Sequence, residues 1–157
     1  MITALSLQDD YTLEQLWHLQ HVAYRLEAEK IGFDKIPPLM DTLETLRACG
    51  EQFYGAIGED GEIIGAIATE TEQPGSLIIT RMMVHPGHFR RGLAGSLIEH
   101  VVESHREVPL FMVSTGTLNT PAVSLYQKYG FRPVAVQEIA PGVELTTFHL
   151  NNMNLHI

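Results

Sequence analysis

The chain has 157 residues, with 19 Asp and Glu against 10 Lys and Arg, a formal net charge of −9, and 45% hydrophobic residues. This acidic balance disfavours nucleic acid and anionic membrane as partners, and the length suits one domain, 1–157, able to bury about 70% of its unfolded surface without metal or disulfide support. A lone Cys49 excludes an intramolecular bridge, no apolar run approaches the roughly 18 residues that cross a bilayer, and residues 1–10 lack the pattern of a signal peptide, so a cytoplasmic location is expected.

In chain order, residues 2–6 read as a short strand. Leu13, Leu16, Trp17, Gln20, Val22, Ala23, Leu26 and Ala28 then fit a helical face, which predicts a helix over 12–30. Residues 32–38 break it, and a second, shorter helix is predicted over 41–48. Two strands, 53–57 and 62–70, are joined by the turn signal Glu59-Asp60-Gly61, and a third, 77–84, follows Gln73-Pro74-Gly75.

This third strand runs into His85-Pro86-Gly87-His88-Phe89-Arg90-Arg91-Gly92-Leu93-Ala94-Gly95 and then into an amphipathic helix with Leu93, Leu97, Val101 and Ala94, Ile98, Val102 as its two apolar tracks. A helix that opens on two arginines gives up about 0.3–1 kcal/mol per side chain against its own dipole unless an anion sits there. The segment therefore reads as strand, anion-binding turn and helix. No Gly-x-Gly-x-x-Gly and no Gly-Lys-Ser/Thr occurs, which excludes the dinucleotide and P-loop patterns.

A short strand is predicted over 109–114, and Thr120-Pro121 supplies the cap and first-turn proline of a helix that ends at Tyr129, with Gly130 at C′. Strands over 133–139 and 143–150, split by Ala140-Pro141-Gly142, close the chain as an antiparallel pair.

Asn119-Thr120-Pro121-Ala122-Val123-Ser124-Leu125-Tyr126, running on to Gly130-Phe131, resembles the second signature of the GCN5-related N-acetyltransferase (GNAT) superfamily. The earlier segment is similar to that superfamily's acetyl-CoA loop, with Gly92 and Ala94 on its glycine and Gly/Ala positions, while Phe89 stands where Gln or Arg is usual and the basic character moves to Arg90 and Arg91. The resemblance runs from about Phe53 to Phe148. It implies a mixed α+β fold, with a twisted, mostly antiparallel sheet of six or seven strands splayed at its centre and flanked by about four helices.

It further implies an N-acetyltransferase with acetyl-CoA as co-substrate and no metal. The pyrophosphate would rest on backbone amides of Arg90, Arg91, Gly92, Leu93, Ala94 and Gly95, with Phe89 at the loop's first cofactor-binding position, and the pantetheine arm would lie along Met82, Met83 and Val84. Asn119 matches the family asparagine that contacts cofactor or fixes the loop, and helix capping would explain it as well. Tyr126 holds the position of the acid that gives a proton to the departing thiolate.

The acceptor implied is a small-molecule amine or a peptide, set between the N-terminal helices, the 32–40 loop and the strand pair after Phe131; a homodimer is compatible with the resemblance. A primary amine is only about one part in two thousand neutral at pH 7, so a base or desolvation must offset roughly 4–5 kcal/mol. Glu70, Glu72, Glu138 and Glu144 lie on or beside predicted strands, and the sequence singles out none of them. The pairs His18/His21 and His85/His88 lack a third ligand at metal spacing. The alternative to an enzyme is a CoA-binding sensor or scaffold on the same fold, for which a phenol at Tyr126 would have no use.

Overall fold

A computed structural model describes residues 1–73, 75–89 and 91–152, without the side chain of Gln73; Pro74 of the predicted turn and Arg90 of the predicted cofactor set lie outside the described residues. The strands are β1 (Ile2–Leu5), β2 (Gln52–Ile57), β3 (Ile63–Gln73), β4 (Ser76–Val84), β5 (Leu110–Gly116), β6 (Arg132–Ala140) and β7 (Val143–Asn151), and the helices α1 (Asp10–Ile31), α2 (Leu43–Arg47), α3 (Leu93–Ser104) and α4 (Thr120–Lys128). The seven strands form one open sheet in the order β1-β2-β3-β4-β5-β7-β6, antiparallel except for β4 beside β5. The mixed, mostly antiparallel architecture expected from the sequence is therefore present.

Local chemistry accounts for the boundaries. Asp9 accepts from the Thr12 N–H at 3.0 Å to start α1, and Gly32 in the left-handed region (φ 69°) ends it. The helix expected over 41–48 is shorter: a 3-10 turn occupies Pro37–Met40, and Thr42 and Thr45 form a capping box that opens α2. At the end of α4 the Phe131 N–H reaches Tyr126 O at 3.0 Å and the Gly130 N–H reaches Gln127 O at 3.1 Å, a Schellman closure with Gly130 at φ 94°. The C-terminal pair forms as expected, with β7 flanked on both sides and β6 at one edge of the sheet, opposite β1.

The sheet has a core on each face. Leu13, Leu16, Leu19 and Leu46 of α1 and α2 pack with Phe53, Ala66, Ala68 and Met83, whereas Leu97, Ile98 and Val101 of α3 and Tyr126 of α4 pack with Ile67, Leu77, Ile79, Phe111 and Phe148. One irregularity positions everything that follows. Pairing passes from Ala68↔Arg81 to Thr69↔Ile79, so Thr80 is an extra, bulged residue in β4.

The bulge has two consequences. It reverses the inside-outside phase, so that Leu77, Ile79 and Met82 face α3 and α4 while Arg81 and Met83 belong to the opposite face. It also lies where β4 leaves β5: their parallel pairing spans only Ser76↔Leu110 to Ile79↔Val113, and beyond it the strands diverge. The His85 N–H still bonds Ile64 O of β3 at 2.8 Å, whereas the Met82 N–H turns into the gap.

Candidate active site

The wall on the α3 side is made of backbone. Gly92 adopts φ 75°, a conformation that costs an ordinary L-residue about 1–2 kcal/mol, and α3 begins directly after it. Among the described residues no side chain caps this helix, its first turn has no acid, and its first helical bond is from the Ser96 N–H to Gly92 O at 3.0 Å. The amides of Leu93, Ala94 and Gly95 thus have no helical acceptor, which makes the site chemically suited to an anion. Gly95 has a second reason to be glycine: a Cβ there would stand 2.0 Å from the Tyr129 hydroxyl.

A cleft of about 460 Å³ runs from these amides past the end of β4 to α1 and the start of α4. Met82, Met83, Val84, Phe89, Gly92, Leu93, Ala94, Gly95 and Asn119 all line it. The Met83 side chain is 2% exposed and belongs to the core under α1, and Met82 turns its N–H toward the gap. Arg91 does not line the cleft; it is exposed and donates to His88 Nδ1 at 3.2 Å.

A second cavity, of about 470 Å³, opens on the other side of the gap between α1, the Pro37-Pro38 turn, the bulged part of β4, β5 and α4. Tyr126 lines this one, almost completely buried, with its ring edge-on to Phe131 at 5.7 Å. Burial, with Tyr24 and Glu27 nearby, pushes its phenol well above the ordinary range, so it stays protonated at any physiological pH. Of the elements expected from the sequence around an acceptor, α1 and the Pro37-Pro38 turn border this cavity, α2 does not, and the strand pair after Phe131 adds Leu145.

Its inner end holds a buried ion network. Arg81 pairs with Asp41 at 2.6 Å and with Glu51 through Nη2 at 2.8 Å and Nε at 3.0 Å, and its Nη1 also donates to Gln20 Oε1 at 2.9 Å. Burial opposes ionisation of the two acids, but hydrogen bonds from Thr45, Thr80 and Arg81 and the guanidinium charge prevail, so both carboxyls sit below their usual range. With four of its five N–H donors committed to protein acceptors, Arg81 has no fork left for a ligand carboxylate.

Tyr24, Glu27, Met82, Asn119, Ala122 and Leu125 line both spaces and so mark where they meet. The Tyr24 hydroxyl accepts the Met82 N–H at 2.9 Å. Asn119, and not Thr120 as expected, caps α4: its carbonyl accepts the Ala122 N–H at 3.4 Å, Thr120 is the first helical residue, and Asn119 Nδ2 donates to Glu27 Oε1 at 2.7 Å. Burial raises the Glu27 carboxyl, with hydrogen bonds from Asn119 and Thr115 pulling the other way.

Sequence reasoning passed over Tyr24 and Glu27. A signal was present, because Gln20, Tyr24 and Glu27 form a polar track at helical spacing whose first two members are buried. The four carboxylates weighed instead, Glu70, Glu72, Glu138 and Glu144, are all exposed and line neither space.

Residues 13–131 match the profile of the Acetyltransferase (GNAT) family. Among curated proteins, the chain is 35% identical over 150 residues to UPF0157 protein YqkA of Bacillus subtilis, covering 96% of this chain but 43% of that protein, so it spans less than half of that relative's length. The ribosomal-protein-S18-alanine N-acetyltransferase of Escherichia coli superposes with a TM-score of 0.76 at 16% identity over 96% of this chain and 92% of its own. A Bacillus anthracis protein solved in complex with acetyl coenzyme A superposes with a TM-score of 0.59 at 20% identity over 64% of this chain and 62% of its own. At these identities the two structures speak to the fold.

Proposed function

Since the chain belongs to the acetyltransferase (GNAT) family, we propose that it moves an acetyl group from acetyl-CoA to a primary amine of a small molecule or peptide by direct attack. The observation that carries this reading is the meeting of two spaces at one point. One has helix-start amides without a helical acceptor at its far end, suited to a pyrophosphate; the other is acid-lined, and they share Met82 and Asn119.

In this reading the pyrophosphate rests on the amides from Gly92 to Gly95, and the pantetheine arm follows β4 past Val84 and Met82. The thioester then reaches the junction. The amine nitrogen bonds to the carbonyl carbon, the carbon–sulfur bond breaks with its electron pair on sulfur, and Tyr126 meets the developing thiolate with a hydrogen bond. A phenol that resists ionisation is poorly suited to complete proton transfer in advance, so its benefit lies in stabilising charge as it forms.

The acceptor side supports an amine over an acid. Two carboxylates facing one guanidinium leave a net negative charge beside Glu27, and Arg81, with four of its five N–H donors engaged, offers no bidentate site for an acceptor carboxylate. Calorimetry with acetyl-CoA, followed by thiol release with a panel of amines, polyamines, amino acids and peptides, tests the proposal. Micromolar binding with amine-dependent release is the expected result. Binding without release from any amine would favour a CoA-binding protein that does not turn over.

A further inference from the structure

We propose that Glu27 takes the proton from the acceptor amine, and that Asn119 is the positioning residue that holds its carboxylate at the junction. The inference rests on the acetyl-transfer reading and adds to it the proton acceptor that the sequence did not name.

Three observations carry it. First, place: Glu27 is the one acid among the described residues that lines both spaces, so its carboxylate stands where an amine and a thioester would meet. Second, availability: Asp41 and Glu51, the other acids of the acceptor space, are committed to Arg81 at 2.6 and 2.8 Å, and a carboxylate clamped by a guanidinium is a weak base. The Glu27 partners are neutral, and hydrogen bonds from Asn119 and Thr115 leave part of a carboxylate's roughly four acceptor positions open to an amine N–H.

Third, orientation. Asn119 reaches Glu27 across 92 residues of sequence, and its amide is fixed at both ends, the carbonyl on the Ala122 N–H and the Nδ2 on Glu27 Oε1. The residue that starts α4, the helix bearing Tyr126, therefore also sets the direction of the α1 carboxylate. Partial burial places that carboxyl above the ordinary range, closer to the operating pH of a general base.

The step balances. An arriving ammonium loses one proton to the Glu27 carboxylate, the freed lone pair forms the C–N bond, and the C–S bond breaks with its electrons on sulfur. The second proton shed by nitrogen ends on that sulfur, and the proton on Glu27 leaves to solvent.

Glu27→Gln tests this, because the amide keeps an oxygen for Asn119 to bond while losing the base. With the best amine of the panel, kcat/KM should fall on the order of 10²-fold or more, the acid limb of its pH profile should vanish, and calorimetric affinity for acetyl-CoA should stay within about threefold of wild type. Asn119→Ala removes a hydrogen bond to the charged form, so the acid limb of the profile should move to higher pH as kcat falls, a shift that a purely architectural role would not produce. This second variant decides the matter should Glu27→Gln fail to fold. Turnover and pH profile unchanged in Glu27→Gln, or an acid limb that Asn119→Ala leaves in place, would overturn the inference alone. A wild-type protein that binds no acetyl-CoA and releases no thiol would overturn the acetyl-transfer reading and the inference with it.

Discussion

The walls of the two spaces that meet at Glu27 and Asn119 are built in opposite ways. The α3 wall comes from one continuous stretch, Met82 to Gly95, and its chemistry is that of backbone amides at a helix start. The α1 wall is assembled from distant side chains: Gln20 meets Arg81 across 61 residues, Asp41 meets it across 40, and Glu27 meets Asn119 across 92. A backbone site is written locally and keeps its meaning when side chains such as Phe89 change. A side-chain site exists only once the fold has closed, and each member depends on the others for charge balance.

The sharpest way to break this comparison is to remove the centre of the side-chain wall. Arg81→Leu leaves Asp41 and Glu51 as buried charges without their cation, side chains 14% and 10% exposed, and such a loss costs about 3–5 kcal/mol. In the native protein both carboxyls lie below their unfolded values, so their contribution is present above about pH 4 and lost as pH falls through the folded values. The gap in melting temperature between wild type and Arg81→Leu should therefore hold from pH 7 to about pH 4 and narrow as the pH is taken on down to about 2. A uniform gap across that range would show that packing, and not charge, is what Arg81 supplies.

This contrast also decides what could be read before the fold was known. The helix starts and stops around Asp9, Gly32, Asn119 and Gly130, the strand spans and the α3 loop all follow from local rules, and they came out within a few residues. The bulge at Thr80 could not be read, because nothing in Ile79-Thr80-Arg81 marks an extra residue until β3 is laid beside it. With the bulge unseen, the face of Arg81 was undefined, and Asp41 and Glu51 looked like ordinary acids at element ends. Glu27 was missed for a related reason: it sits beside the apolar track of α1, and only the capping asparagine of α4 makes it part of a site.

Next in size is the phenol between the walls. Tyr126→Phe keeps the ring against Phe131 and Phe148 and removes only the donor, so acetyl-CoA affinity should hold while turnover falls tenfold or more, about 1.4 kcal/mol of transition-state stabilisation. Equal turnover would remove the acid role and leave Tyr126 as core. Of similar size is Gly92→Ala. A Cβ there meets nothing within 4 Å, so its whole effect is the left-handed backbone, about 1–2 kcal/mol. The loop can escape that strain only by rotating, which turns the α3 amides. Acetyl-CoA affinity should drop by about tenfold with a small loss in melting temperature, and unchanged affinity would mean that those amides hold no phosphate.

The smallest expected effect tests how far the backbone wall depends on charge at all. Arg91 is exposed, bonds only His88 among the described residues and does not line the cleft, so any pull it exerts on a phosphate passes through water. Arg90→Ala with Arg91→Ala should weaken acetyl-CoA binding by about 0.5–1 kcal/mol at low salt. Because exposed charges are screened over about 8–10 Å at physiological ionic strength, that difference should fade as salt is raised, while the loss in Gly92→Ala persists. A double variant whose deficit survives high salt would place the arginines in direct contact with the phosphates and make the α3 wall, like its opposite, a site of side chains.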